Sequence, residues 1–427
     1  MGVDWGKQKV MGGYFTALIN TENDFHWSLI PFIIIWVGFF ALLFIWLFIA
    51  YVVPQPRKPL PSEKKYRTLD EHGELTPAQD LPSWMDRAKE KWLEAKEKNE
   101  TIDVHKCVEP AEVFMTLIIP AYNEAKRLIG MLEESVNFLE KEYSNVAASN
   151  NTKQPTKQAQ PNGTTTRQRK PNGTANPTAS PLPRGWEILI VDDGSTDSTL
   201  SVAEHFTRTH LVPALPRRNS GPWTPNTHTQ PSVNIPPDSI RLISLVTNRG
   251  KGGAVTHGMR HARGSYVLFA DADGASDICD LPKLVSAADK VADKDDRAVA
   301  VGSRAHMVNT EAVVQRSKLR NFLMHSFHLF LWFMTPPATA RIKDTQCGFK
   351  LFTRATLPYI VPHMHMEGWI FDVEMLMLAE FAGIPVAEVP IGWKEVMGSK
   401  LNVVKDSISM AWNLALLRVC WGTGIYK

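Results

Sequence analysis

Apolar residues fall along this chain in three patterns. The first is continuous: Trp27 to Val53 passes through Leu29-Ile30-Pro31-Phe32-Ile33-Ile34-Ile35-Trp36 and ends in Ile49-Ala50-Tyr51-Val52-Val53 without a charge. About 20 such residues span a hydrocarbon core. The stretch therefore predicts a membrane anchor over 28–53, starting too late and running too long for an ordinary signal peptide. The second pattern is short β-branched and aromatic runs, which predict strands at Val113–Pro120, Glu187–Val191, Ile240–Val246, Tyr266–Ala270 and Ala298–Gly302. Helical spacing follows most of them, so strand and helix alternate. That predicts an α/β fold with a mainly parallel sheet covered by helices on both faces. The third pattern is helix-length apolar stretches that carry polar interruptions. Leu319–Thr335 contains His325 and His328, and Ile408–Tyr426 contains Arg418. Both read as interfacial or core helices in preference to further spans.

These patterns divide the chain into a short segment 1–27, the anchor 28–53, a stalk with a membrane-proximal helix over 54–110, the α/β domain over 111–402 and a C-terminal apolar helix over 403–427. Pro54–Pro61 reads as extended, and Leu81–Lys98 as a solvated helix. Two stretches rich in Asn, Thr, Gln and Pro, about 145–183 and 212–237, bury too little apolar surface to offset their ordering entropy and are expected as disordered insertions. Charge orients the anchor. Arg57, Lys58, Lys64, Lys65 and Arg67 follow it, whereas Lys7 and Lys9 before it are balanced by Asp4, Glu22 and Asp24. The positive-inside rule then places the bulk of the chain in the cytosol, as a single-pass membrane protein, and the first segment on the lumenal side.

Composition narrows the chemistry. The content of 44% hydrophobic and 21% charged residues is that of a globular protein, and a net charge of +3 gives no case for nucleic acid. The four cysteines are far apart and form no Cys-x-x-Cys pair, which suits reduced thiols.

Four of the strands end in polar or glycine residues: Tyr122 to Glu124, Asp192 and Asp193, Asn248 to Lys251, Asp271 and Asp273. A parallel sheet brings such ends to one edge, where ligands of open α/β sheets collect. Asp271 and Asp273 are hard oxygen donors one residue apart, a pattern that suits Mg²⁺ or Mn²⁺ carrying a diphosphate. Taken alone, an Asp-x-Asp more often begins a turn. The acids of the second strand are placed to accept hydrogen bonds from a base or ribose. Phe371-Asp372-Val373-Glu374 alone reads as a helix N-terminus with favourable acids.

Ile119-Pro120-Ala121-Tyr122-Asn123-Glu124, Val191-Asp192-Asp193-Gly194-Ser195-Thr196-Asp197 and Asp271-Ala272-Asp273 occur in the order found in glycosyltransferase family 2, which the chain resembles over roughly Val113 to Lys400. Asn248-Arg249-Gly250-Lys251-Gly252-Gly253-Ala254, Asp344 to Phe352 and Gly368 to Glu374 are similar to the branch that glucosylates dolichyl phosphate, as is the Gly274-Ala275 that follows the Asp-x-Asp. The resemblance implies a GT-A fold, a UDP-glucose donor, a dolichyl phosphate acceptor, inversion at the anomeric carbon and a place in the endoplasmic reticulum membrane. It implies that Pro120, Tyr122, Glu124, Asp192 and Asp193 hold the nucleotide, with Lys251 in the same donor set. Asp271 and Asp273 would meet metal and diphosphate, and Arg304 and Lys400 phosphate. Asp372 would be the base or the group orienting the acceptor, with an alternative role of positioning Arg or Lys side chains.

Three other readings stay open. One is a mannose synthase-like enzyme using GDP-mannose. Another is a membrane-tethered nucleotide-sugar binder without turnover. The third is a dinucleotide-dependent oxidoreductase, which Gly250-x-Gly252-Gly253 suggests, although Val255 stands where that fingerprint needs its third glycine and the motif follows the wrong strand.

Overall fold

The computed structural model describes residues 30–51, 53–70, 74–100, 103, 105, 107–144, 183–211, 235–307, 326, 329–396 and 403–426. Nearly all of both expected insertions, the segment before Ile30, His325, His328 and Lys400 lie outside the described residues. Residues 55–418 make one compact unit, and residues up to 54 with 419–427 the other. Helix α1, Ile30–Tyr51, has 22 residues, and its most apolar 18-residue stretch has a mean hydropathy of 2.9 and no buried side chains. At about 1.5 Å per residue it is long enough to cross a bilayer.

The larger unit is built on a nine-stranded sheet. Its strands are β1 (Lys65–Arg67), β2 (Gln79–Asp80), β3 (Val113–Ala121), β4 (Trp186–Asp192), β5 (Ile240–Ser244), β6 (Gly264–Ala270), β7 (Val299–Ser303), β8 (Phe349–Thr353) and β9 (Val386–Pro390), in the order β2-β1-β5-β4-β3-β6-β8-β7-β9. The four central strands are parallel, as the alternating pattern predicts. Five strands lie close to their expected positions. Among the others, β8 runs antiparallel between β6 and β7, and β9 pairs parallel with β7. Period-two alternation decides which residues face which layer. Leu117 and Ile119 of β3 join Leu128, Leu132, Val136 and Leu139 of α3 (Leu128–Tyr143) in one core. Ile118 faces the other way, toward α5 (Lys251–His261), and there the backbones approach so closely that a Cβ on Gly258 would lie 2.6 Å from Ile118 Cγ2. Helix α2 (Trp84–Glu97) precedes α3, and α4 (Thr199–Leu211) lies between α3 and α5. They are followed by α6 (Leu281–Val291), α7 (Phe371–Phe381) and α8 (Val403–Gly422).

Residues 54–60 have no regular structure, and the chain beyond them joins the sheet. β1 pairs antiparallel with β5, Tyr66 opposite Ile243 and Arg67 opposite Leu242, so the stretch extends the sheet. Trp84 is buried and its indole N–H donates to the Met259 carbonyl at 2.7 Å. The physical reason is that Tyr66, Leu69, Leu81 and Trp84 all find apolar cover, worth about 1.5–3 kcal/mol for each large side chain. Their dispersed spacing is masked in the sequence by the charges between them.

Two histidines of α5 seal this junction. His257 Nε2 meets the Glu63 carbonyl and His261 Nδ1 the Pro82 carbonyl, each at 2.9 Å. Burial pushes their pKa values down to about 3 and about 4, so both stay neutral in the folded chain. The unfolded chain, with histidines titrating near pH 6.5, takes up protons first on acidification, so stability falls from about pH 6.5 downward. His257→Gln keeps a donor toward the Glu63 carbonyl but does not titrate. Its melting temperature should drop less between pH 7.5 and pH 5 than that of the unaltered protein; an equal drop would exonerate this histidine.

Candidate active site

The exits of β3 and β4 are stitched together. Asn123, at φ 55, accepts with its Oδ1 from the backbone N–H groups of Thr196 (2.7 Å) and Asp197 (3.2 Å) and donates its own N–H to Ser195 Oγ at 2.9 Å. Asparagine tolerates this left-handed conformation better than most residues. The Glu124 N–H donates to Thr199 Oγ1 at 2.7 Å, while its carboxylate takes the Arg127 guanidinium in a fork at 2.7 and 2.6 Å. The Tyr122 side chain stands at the surface beside them.

Successive residues at a strand end point to opposite sides, and Asp192 and Asp193 have different surroundings. Asp193 accepts from the backbone N–H of Arg249 at 2.7 Å and of Gly250 at 2.9 Å, fixing the turn into α5. Burial nevertheless raises its pKa to about 7. Asp192 is buried too, and burial raises its pKa, yet its Oδ1 has no hydrogen-bond partner among the described residues. A buried acceptor in that state costs about 1–3 kcal/mol unless something donates to it.

Past β6, Asp271 Oδ1 lies 2.6 Å from Lys251 Nζ at the start of α5, and Asp273 Oδ2 lies 3.7 Å from Arg127. Burial, and next the charge of Asp271, raise the Asp273 pKa. Gly348 explains part of the Asp344–Phe352 motif: its carbonyl accepts from the Asp271 N–H at 3.2 Å, and any Cβ there would overlap the Asp271 carboxylate. Among the described residues no three His, Cys, Asp or Glu side chains converge as a metal cluster. Two hard carboxylates one residue apart, Asp271 seated over a glycine, suit a divalent cation whose remaining ligands come from a substrate.

Asp372 departs from the picture of an open base. Its carboxylate is ion-paired to Lys350, both side chains are buried, and Lys350 Nζ also donates to the Cys347 carbonyl at 2.7 Å. Burial raises the Asp372 pKa, with Lys350 and Lys251 opposing. Glu374 is turned to structural use, accepting from the His365 N–H at 3.0 Å and the Met366 N–H at 2.8 Å. Arg304 forks onto Asp344 at 2.7 and 2.8 Å. Burial alone would lower its pKa, but the bonds and charge of Asp344 raise it. Pro120 lies in β3 opposite Val191, where it sets the backbone path into the first loop. Asn123, Gly348 and Lys350 therefore join the expected residues; each sits inside a recognised motif, but only the fold shows what it touches.

An α/β sheet whose parallel strands end in these acids, with residues 230–353 matching glycosyl transferase family 2, defines the class: a family 2 glycosyltransferase. The chain is 37% identical over 379 residues to the dolichyl-phosphate β-glucosyltransferase of Saccharomyces cerevisiae, covering 87% of this chain and 88% of that protein. Against the Dictyostelium discoideum protein of the same name identity is 36%, covering 74% and 77%. Against the Homo sapiens one it is 33%, covering 73% and 77%. The chain belongs to the dolichyl-phosphate β-glucosyltransferase family. A solved structure of glucosyl-3-phosphoglycerate synthase from Mycobacterium tuberculosis overlays at a TM-score of 0.41 and 13% identity, over 74% of this chain and 82% of that one.

Gly348→Ala should cut the transfer rate on the order of 100-fold, because the Asp271 carboxylate must move aside and misplacement by about 1 Å has that effect. Steady-state rates beside a melting curve check this; full activity in a well-folded variant would show that Asp271 does not need its present position.

Proposed function

We propose that this chain transfers glucose from UDP-glucose to dolichyl phosphate with inversion at the anomeric carbon, at the cytosolic face of the endoplasmic reticulum membrane. The observation that carries the donor reading is the buried, unpartnered Asp192 Oδ1 at the same sheet edge as the Asp271–Asp273 pair. Uracil N3–H and ribose hydroxyls are neutral donors that satisfy such an acceptor, and the diphosphate then extends toward the β6 exit. Arg127, between Glu124 and Asp273, ties the two ends of the donor site together. Mg²⁺ or Mn²⁺ held by Asp271 and Asp273 would neutralise charge on the departing diphosphate. Lys251, beside Asp271, adds a fixed positive charge at the same place.

In the reaction a lone pair of the lipid phosphate oxygen forms the new bond to the anomeric carbon while the bond to UDP breaks and its electrons leave on the diphosphate. A phosphate monoester is largely dianionic at pH 7, so no strong base is needed. Asp372 then serves by holding Lys350 in place, the alternative its sequence context allows, and Arg304, held by Asp344, is the cation nearest in character to a phosphate anchor. Lys400 is assigned to the same phosphate on its motif alone. Helix α1, with basic residues on its C-terminal flank, supplies the anchor that keeps the enzyme beside a polyprenyl acceptor confined to the bilayer.

Asp273→Ala should lower transfer by at least about 100-fold, the usual scale for losing a group that stabilises transition-state charge. Metal-dependent UDP binding should fall with it, while the melting temperature stays near that of the unaltered protein. Membranes supplied with dolichyl phosphate should form glycolipid from UDP-glucose and not from GDP-mannose. Undiminished Mn²⁺-dependent UDP-glucose binding in the variant, or preference for GDP-mannose, would overturn the assignment.

A further inference from the structure

Residues 57–63, just after the anchor in sequence, carry none of the family motifs, yet they are bonded to the turn that forms the donor edge. Glu63 has a fully buried side chain and serves as the hub. Its carboxylate accepts from the Val246 N–H at 2.9 Å, from the Leu60 N–H at 2.9 Å and from Arg57 at 2.6 Å. Burial resists ionisation of this group, but those three donors hold its pKa down at about 2. From the other side, Arg249 reaches back. Its guanidinium donates to the Arg57 carbonyl at 2.6 Å and grips Glu367 in the loop that leads to α7, while its own backbone N–H is the one that caps Asp193. His257 closes the arrangement on the Glu63 carbonyl. The turn held this way, 246–250, includes Gly250 at φ 84, where a Cβ would come within 2.5 Å of the Glu367 carbonyl.

We propose that Arg57–Glu63 is a positioning strap for the donor site: Glu63 and Arg249 hold the 246–250 turn in the conformation that sets Asp193, and with it the neighbouring Asp192, for the nucleotide. The inference rests on the UDP-glucose reading above. It also means that a chain beginning near Lys64, which keeps every motif residue, lacks part of the machinery that shapes the nucleotide site.

The test uses the full chain in membranes with UDP-glucose and dolichyl phosphate. Glu63→Ala removes all three acceptor bonds, and Arg249→Lys keeps the charge but loses the fork joining Arg57 to Glu367. Each should raise KM for UDP-glucose by at least about tenfold, the loss expected for a charge-assisted hydrogen bond. KM for dolichyl phosphate should stay within about twofold, since no strap bond reaches Arg304 or Lys350. Glu63→Gln, which retains an acceptor for Val246, should recover part of the loss. A purely structural role would lower the amount of active enzyme, and so apparent kcat, at unchanged KM. That outcome, or a matching rise in both KM values, overturns the strap. A parent enzyme that does not use UDP-glucose would instead overturn the donor reading itself.

Discussion

The site depends on one constraint, the parallel register of β5, β4, β3 and β6. Because Ala121 stands opposite Asp192 and Asp192 opposite Ser244, the chain leaves these strands at one level and on one edge. Residues more than 100 positions apart in sequence, Glu124 and Asp273, then share Arg127 between them. The apolar alternation that builds the sheet is thus also what gathers its acids. In this group of four strands no exit is without a polar residue.

Burying so much charge is costly unless each group finds a partner. The edge meets that requirement almost throughout: Asp193 with two backbone amides, Asp271 with Lys251, Asp372 with Lys350, Asp344 with Arg304. Most of these pairs are closed within the chain and act by holding backbone or cations in place. Asp192 Oδ1 is the exception among these acids, and for that reason the proposed function has the nucleotide donate to it.

Five strands, the apolar helix and the acids at the exits were legible because they depend on local patterns: β-branched runs, a charge-free stretch and polar residues where a run stops. Other features depend on distant partners and leave no local trace. Arg304 and Asp344 are 40 residues apart, Lys350 and Asp372 are 22, and Glu63 and Val246 are 183. The packing of residues 66–84 left no local trace for the same reason. Trp84 and Tyr66 look like isolated aromatics among charges until β5 and α5 supply the surfaces that cover them. Adjacent motif acids likewise look equivalent in sequence, and only the fold separates Asp193, which caps a turn, from Asp192, which is open on one oxygen.

Whether these strand exits form a UDP site is tested most directly by an experimental structure of the full chain with UDP and Mn²⁺. Uracil or ribose should donate to Asp192, with the diphosphate and metal against Asp271 and Asp273. A nucleotide bound away from the β4 exit, or a metal that touches neither Asp271 nor Asp273, would contradict this placement.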